Sequence, residues 1–218
     1  MARRLRGAVG LFKVGSQLFT AEGPRAVEKL AGLGFGIFLD LKFHDIPNTV
    51  AGAVAAAADL PKVRLLTVHT LGGIAMMRAA REAVARKKKR PAVLGVTILT
   101  SLDAAALCRV GISGSPPSRA LALARLAKEA GLDGVVASAH EARAIRRAGG
   151  RNFLIVVPGV RPASALMDDQ SRVATPVEAI RAGADYLVIG RPITAAPNPH
   201  AAALAIAKEI ASATRRSR

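Results

Sequence analysis

The stretch DLKFHDIPNT, residues 40–49, directly follows the apolar run FGIFL at residues 35–39. Residues i and i+2 of a β-strand project to the same side, so we expect Asp40 and Lys42 to project together where a buried strand ends. Asp45 then falls in the following loop. Charged side chains are rarely buried unless they are paired, and perturbed charge clusters concentrate at functional sites. The pattern therefore favours a reaction site over a structural ion pair.

Short apolar runs alternate with helical patterns on both sides of this stretch. Strands are predicted at 7–14, 36–41, 65–69, 92–98, 134–137, 154–157 and 186–189. Helices are predicted at 24–33, 50–60, 73–86, 118–131, 140–149, 176–182 and 199–214. Alternating strands and helices indicate an α/β protein with a parallel sheet, and no linker divides residues 1–218, so we expect a single domain.

The architecture predicted from this alternation is a TIM-type (β/α)8 barrel, in which active sites lie at the carboxyl ends of the strands. Polar residues do follow the predicted strands: Lys13, then Asp40 and Lys42, then His69, with further examples at 97–101, 158–161 and 190–191. Seven strands are predicted where such a barrel has eight. Either one strand is hidden in the sequence or, as we expect, the first strand of the barrel is missing from this chain.

Composition limits the classes of function. The 218 residues are 51% hydrophobic, enough for a sizeable core, and contain one cysteine, Cys108, which excludes an internal disulfide framework. No apolar stretch is long enough to span a membrane, and the start does not resemble a signal peptide, so a cytoplasmic location is expected. The net charge of +17 is concentrated at both termini and at 86–90, which favours solvated surface.

The order of several motifs closely resembles the orotidine 5′-phosphate decarboxylase family of bacterial type. The resemblance runs from about Phe12 to the last helix. It rests on FKVG at 12–15, DLKFHDIPNT at 40–49, VHTLGG at 68–73, VTILTS at 96–101, PGVRP at 158–162, DQ at 169–170 and IGRP at 189–192. The implied activity is the cofactor-free decarboxylation of orotidine 5′-phosphate to UMP, the last step of pyrimidine biosynthesis.

The resemblance also implies roles for individual residues around the pyrimidine. Lys42 is the implied proton donor to C6, and Asp40 is placed beside the departing carboxylate. Lys13 is placed near the ribose and connects to Asp40. Asp45 is the implied third catalytic residue, the second carboxylate of an Asp-Lys-Asp arrangement around Lys42. Asp45 and Thr49 are both implied to reach the neighbouring site of a homodimer.

Six further residues are implied to bind the rest of the nucleotide. Thr100 and Ser101 are placed at the pyrimidine edge. The 5′-phosphate is assigned to Arg161, Gln170, Gly190 and Arg191, with the loop from Arg161 to Gln170 closing over it. The family also has a ribose-binding aspartate on a strand before Lys13, and the expectation is that this chain has no residue for that role.

Two alternatives remain open. Related barrels that act on sugar phosphates share the Asp-x-Lys-x-x-Asp pattern but require a divalent metal, whereas the IPNT continuation and Thr100-Ser101 favour the pyrimidine substrate. A basic protein that binds nucleic acid is the third possibility, although one Tyr and no Trp leave few platforms for base stacking. The four histidines have no metal-ligand spacing, so no metal is expected, and His69 is interpreted as a core histidine.

Overall fold

The computed structural model describes residues 1–162 and 174–215. Within these residues there are seven strands, whose order in the sheet follows the order of the chain. They are β1 Leu11–Gly15, β2 Gly36–Phe43, β3 Val63–His69, β4 Ala92–Val96, β5 Gly134–Val136, β6 Leu154–Pro158 and β7 Tyr186–Val188. This topology confirms the predicted TIM-type (β/α) barrel class.

Helices occupy the connections between the strands. They are α1 Ser16–Glu22, α2 Arg25–Gly32, α3 Pro47–Asp59, α4 Gly73–Ala85, α5 Ala104–Arg109, α6 Pro116–Glu129, α7 Ala139–Gly149, α8 Pro176–Arg181, α9 Arg191–Thr194 and α10 Pro199–Arg215. Short 3-10 turns lie at Ala2–Leu5 and Thr70–Gly72. All seven predicted helices are present, whereas α1, α5 and α9 were not predicted. No helix within the described residues is long and apolar enough to cross a lipid bilayer.

The first predicted strand begins too early. Residues 6–8 form a turn, in which Gly7 has a φ of 78°, and β1 begins at Leu11. A positive φ favours glycine because other residues carry a Cβ that clashes there. The apolar character of this segment was therefore mistaken for an extended conformation.

The chain divides into two compact units, which we describe separately. The β1–β4 unit comprises Gly10–Thr97 and Ala122–Val135, and the β6–β7 unit comprises Met1–Val9, Ile98–Leu121 and Val136–Arg218. The core of the β1–β4 unit includes Val14, Ile37, Leu39 and Leu66, all fully buried on adjacent parallel strands. Their continuous apolar character suits parallel strands that are covered on both faces.

The pairing of β2 with β3 is irregular at the residues that matter for the site. Leu39 pairs with Leu66 and Phe43 pairs with Val68, so three residues of β2 lie opposite the single residue Thr67. A bulge of this kind bends the strand and redirects its side chains. The strand also continues to Phe43, two residues beyond its predicted end.

Candidate active site

Asp40, Lys42 and Lys13 form a compact cluster in the β1–β4 unit, which we call the charge array. The Lys42 Nζ donates to Asp40 Oδ2 at 2.9 Å, and the Lys13 Nζ lies 3.6 Å from the same oxygen. Asp40 is buried, but 35% of the Lys42 side chain and 38% of the Lys13 side chain are exposed. A buried carboxylate thus holds two partly exposed ammonium groups, and Asp40 and Lys42 lie together where β2 approaches its end.

The second oxygen of Asp40 has a partner that sequence reasoning missed. Thr67 Oγ1 donates to Asp40 Oδ1 at 3.0 Å and accepts the backbone N–H of Lys42 at 2.9 Å. Thr67 is fully buried. The available signal was a lone polar residue in the apolar run LLTV, at 65–68, but such a threonine resembles an ordinary core residue.

Lys42 has a φ of 52°, in the left-handed region that few non-glycine residues adopt. Such residues persist only where the surrounding structure holds them, and they cluster at active sites. The bulge between β2 and β3 supplies that surrounding structure here. The unusual backbone and the exposed ammonium group therefore occur at the same residue.

Asp45 lies just beyond β2, and Thr49 lies in the first turn of α3; both residues are exposed. The Asp45 Oδ1 accepts the backbone N–H of Ile46 at 2.6 Å. No ion pair joins Asp45 to either lysine of the charge array within the described residues. The Ile46 side chain is 66% exposed, so this segment presents both carboxylate and apolar surface.

His69 ends β3 and stacks on His44, with 5.2 Å between the ring centroids and 20° between the ring planes. Burial lowers the pKa of His69, and the nearby His44 and Lys42 lower it further. The Leu71 N–H donates to His69 Nδ1 at 3.3 Å, which places the proton of the neutral ring on Nε2. His69 is thus half-buried and adjoins the charge array.

The β6–β7 unit contains the other predicted site residues. Thr100 and Ser101 are exposed between β4 and α5. Arg161 is buried, and its backbone N–H donates to the carbonyl of Ala174 at 3.1 Å. Gln170 lies outside the described residues.

Gly190 and Arg191 are exposed where β7 leads into α9. The Gly190 carbonyl accepts the backbone N–H groups of Ile193 at 2.9 Å and Thr194 at 3.0 Å. No carboxylate pairs with the Arg191 guanidinium among the described residues. An exposed guanidinium beside the start of a short helix can bind an anion such as a phosphate group.

The basic run at 86–90 is partly neutralised within the chain. Lys87 pairs with Asp59, and Arg90 pairs with Asp133 at 2.8 Å. No group of three His, Cys, Asp or Glu side chains in the described part of the chain could hold a metal ion.

Comparison with known proteins assigns the family. The sequence model described as the orotidine 5′-phosphate decarboxylase / HUMPS family matches residues 1–206. The chain belongs to this family of enzymes.

Individual members of the orotidine 5′-phosphate decarboxylase / HUMPS family are similar to this chain in sequence and structure. An orotidine 5′-phosphate decarboxylase of Nitrosococcus oceani is 55% identical over 97% of this chain and 91% of its own length. The crystal structure of that enzyme from Lactobacillus acidophilus has a TM-score of 0.80 and 39% identity, and the match covers 91% of this chain and 85% of that one. The corresponding structure from Pyrococcus horikoshii OT3 has a TM-score of 0.77 and 26% identity over 96% of this chain and 91% of that one.

Proposed function

We propose that this protein decarboxylates orotidine 5′-phosphate to UMP and CO2, without a metal or organic cofactor, in the cytoplasmic synthesis of pyrimidine nucleotides. The observation that carries the proposal is the Asp40–Lys42 contact of 2.9 Å, in which the ammonium group remains partly exposed. Membership of the family and the names of relatives at 55% identity support the choice of substrate.

The proposed chemistry requires a cation at the carbon that loses CO2. Departure of CO2 from C6 leaves a vinyl carbanion with little resonance relief, so the protein has to stabilise that charge and deliver a proton. The Lys42 ammonium group would do both, as a fixed positive charge and as the general acid. Asp40 would lie beside the substrate carboxylate, where the repulsion of like charges is relieved as CO2 leaves.

The remaining residues would bind and orient the nucleotide. Lys13 would contact the ribose, and Thr100 and Ser101 would contact the pyrimidine edge. The 5′-phosphate would be held by two arginines, a glutamine and a glycine: Arg161, Gln170, Gly190 and Arg191. Phosphate binding far from C6 can contribute to catalysis when its free energy is used to position the reacting group.

A spectrophotometric assay of orotidine 5′-phosphate consumption tests the reaction itself. The purified chain should convert the substrate to UMP, with the product identified by chromatography. An absence of turnover at micromolar enzyme, in folded protein that binds UMP, would refute the proposal.

The phosphate role of Arg191 can be tested by measuring the binding of two ligands, UMP and uridine. Arg191→Ala should weaken UMP binding roughly 10- to 100-fold, because a charge-assisted contact is lost. Binding of uridine, which has no phosphate, should be nearly unchanged. Equal losses for both ligands would exclude the proposed contact.

Sugar-phosphate chemistry is the second candidate, since the matching family model covers HUMPS enzymes as well. We expect the related barrels of that chemistry to require a divalent metal for an enediolate intermediate. Incubation with EDTA should therefore leave turnover of orotidine 5′-phosphate unchanged. Activity that EDTA removes and Mg²⁺ restores would favour the second candidate.

We also propose a homodimer in which Asp45 and Thr49 complete the neighbouring site. The exposed segment that contains Asp45, Ile46 and Thr49 supports this, as does the lack of an intrachain ion pair between Asp45 and the described lysines of the array. If each site is built from two chains, a heterodimer of Lys42→Ala and Asp45→Ala has one site with both defects and one with neither. Mixing the two inactive variants should then restore activity, after subunit exchange in mild denaturant.

The mixing experiment requires a direct check of subunit exchange. Native mass spectrometry of differently tagged variants would show whether heterodimers form. Heterodimers without any activity would mean that Asp45 acts within its own chain.

A further inference from the structure

The bulge of β2 interrupts its regular pairing with β3 at Asp40 and Lys42, two residues of the charge array. Between the Leu39–Leu66 pair and the Phe43–Val68 pair, β2 has three residues and β3 has only Thr67. Buried backbone N–H groups are nearly always paired, so the bulged residues require other acceptors. The Lys42 N–H finds its acceptor in a side chain, Thr67 Oγ1, at 2.9 Å.

The same hydroxyl group also holds the carboxylate of the array. Thr67 Oγ1 donates to Asp40 Oδ1 at 3.0 Å, while Asp40 Oδ2 contacts the Lys42 Nζ at 2.9 Å. A hydroxyl has one proton to donate and lone pairs that can accept, and here it does both. Thr67 therefore contacts the backbone of Lys42. It also contacts Asp40, the carboxylate to which the Lys42 ammonium group donates.

The hydrogen bond between Thr67 and Lys42 matters because the Lys42 backbone has an unusual conformation. Its φ of 52° is unfavourable for a lysine and needs external contacts to persist. Thr67 is fully buried, so its hydroxyl is shielded from water that could compete for either bond. A hydrogen bond that the Lys42 N–H donates to a buried, rigid β-branched side chain is well suited to hold such a conformation.

We propose that Thr67 is a positioning residue that holds the bulge of β2 and thereby orients the Lys42 ammonium group for proton delivery. The inference rests on the proposed function of Lys42. Thr67 itself does not contact the substrate in this proposal. It fixes the direction in which Lys42 and Asp40 leave the strand.

Two substitutions separate the hydroxyl group from the volume of the side chain. Thr67→Val keeps the shape but leaves the Lys42 N–H and one Asp40 oxygen without their partner. Thr67→Ser keeps the hydroxyl group. We expect Thr67→Val to lower kcat roughly 10- to 100-fold, because a small misplacement of a reacting group costs that much. Thr67→Ser should retain most of the parent kcat.

Thr70→Val is the matched control. Thr70 is also fully buried and lies next to the end of β3, but its Oγ1 donates to the carbonyl of Val96 at 2.8 Å, outside the charge array. Both valine variants lose one buried hydroxyl and should be destabilised similarly. Only Thr67→Val should lower kcat while leaving the KM for orotidine 5′-phosphate close to the parent value.

Amide hydrogen exchange provides a readout that does not depend on turnover. The Lys42 N–H should exchange much faster in Thr67→Val than in the parent, whereas Thr70→Val should leave its rate unchanged. A Thr67→Val variant whose kcat and Lys42 exchange match those of Thr70→Val would overturn the proposal. A parent protein without turnover, but with selectively faster Lys42 exchange in Thr67→Val, would refute the proposed function and still support the holding role of Thr67.

Discussion

Two aspartates of the β1–β4 unit, Asp40 and Asp133, both pair with basic side chains, but the partners differ in kind. Asp40 pairs with the flexible lysines Lys42 and Lys13. Asp133 accepts both arms of the Arg90 guanidinium at 2.8 and 2.9 Å, and the backbone N–H of Val93 at 2.9 Å. A bidentate arginine with a backbone donor fixes a carboxylate, whereas lysines leave mobile ammonium groups that can react.

The arrangement around Asp133 recurs in the β6–β7 unit. Asp185 precedes β7 and accepts the backbone N–H of Ile155 at 2.7 Å and the Arg146 guanidinium at 2.5 Å. Arg146 also donates to the carbonyls of Gly183 and Phe153, at 2.8 and 2.7 Å. We call Asp133 and Asp185 the aspartate clamps. Each joins the start of one strand to its neighbour, a position that serves stability in barrels of this class.

The kind of basic side chain that pairs with an aspartate distinguishes a structural role of the carboxylate from the proposed catalytic role. The clamps satisfy their carboxylates with donors that do not exchange a proton with a ligand, since arginine is not deprotonated in proteins. The charge array uses lysines, whose ammonium groups are able to do so, and Lys42 has this role in the proposed reaction. Substitutions in the two regions should therefore affect different measurements.

The largest effect is expected at Lys42. Lys42→Ala should lower kcat by at least about 10²–10⁴-fold, the usual contribution of a general acid. Lys42→Arg should lower it nearly as far, although the positive charge is kept, because arginine cannot give up its proton. Turnover of orotidine 5′-phosphate measures the loss of catalysis, and the Kd for UMP shows whether the variants still bind the nucleotide. Near-normal turnover in Lys42→Arg would show that charge alone is sufficient.

The aspartate clamps should give the largest effects on stability. Asp133→Ala should lower the free energy of unfolding by about 2–4 kcal/mol, because Val93 and Arg90 lose a charged acceptor. Urea denaturation measures this, and the folded fraction should keep the parent kcat. Asp59→Ala provides the control, since the Asp59 side chain is 74% exposed in its pair with Lys87. This substitution should lower the free energy of unfolding by only about 0–1 kcal/mol. Equal losses for both variants would contradict the structural role of Asp133.

Arg90→Lys tests whether the fork geometry, and not the charge, makes the clamp. The hydrogen bonds that Arg90 donates to Asp133 raise the pKa of Arg90, in keeping with a close charged contact. Lysine keeps the charge but replaces two parallel donors by one, so we expect a loss of about 1 kcal/mol in the free energy of unfolding. Thermal or urea unfolding measures it. A variant as stable as the parent would mean that only the net charge matters.

The smallest effect concerns pH. Because the pKa of His69 is lowered in the folded protein, the unfolded state binds more protons below pH ~6.5, the ordinary histidine value. The stability of the parent should therefore fall as the pH decreases from about 7 towards 5. His69→Gln should show a shallower fall in urea titrations, whereas His140→Gln, which removes an exposed histidine, should not. The same slope in all three proteins would exclude the effect.

Much of the fold was predictable because apolar runs and helical periodicity are local signals. All seven strands and the longer helices were predicted, and the starts at Ser138 and Thr175 carry capping boxes visible in the sequence. The short helices α1, α5 and α9 were missed because such short segments have little periodicity. The six-residue helix α8 was predicted because its capping box marks its start.

The site was predictable only in part. Asp40 and Lys42 stand out as charges that follow an apolar run. Thr67 does not, since its role depends on a register shift between β2 and β3 that arises from tertiary pairing. Gln170 and the rest of residues 163–173 fall outside the described structure, so their predicted role in phosphate binding stays a prediction.

Chemical restoration of the ammonium group at position 42 tests the central claim most directly. Lys42→Cys in a Cys108→Ser background can be alkylated with 2-bromoethylamine, which rebuilds an ammonium side chain of nearly the same length as lysine. The account predicts almost no turnover of orotidine 5′-phosphate before alkylation and a large recovery afterwards, in protein whose modification is verified by mass spectrometry. The Cys108→Ser protein, treated in parallel, should keep its activity. Parent-like turnover before alkylation, or no gain after complete alkylation, would contradict the proposal that the ammonium group at position 42 drives the reaction.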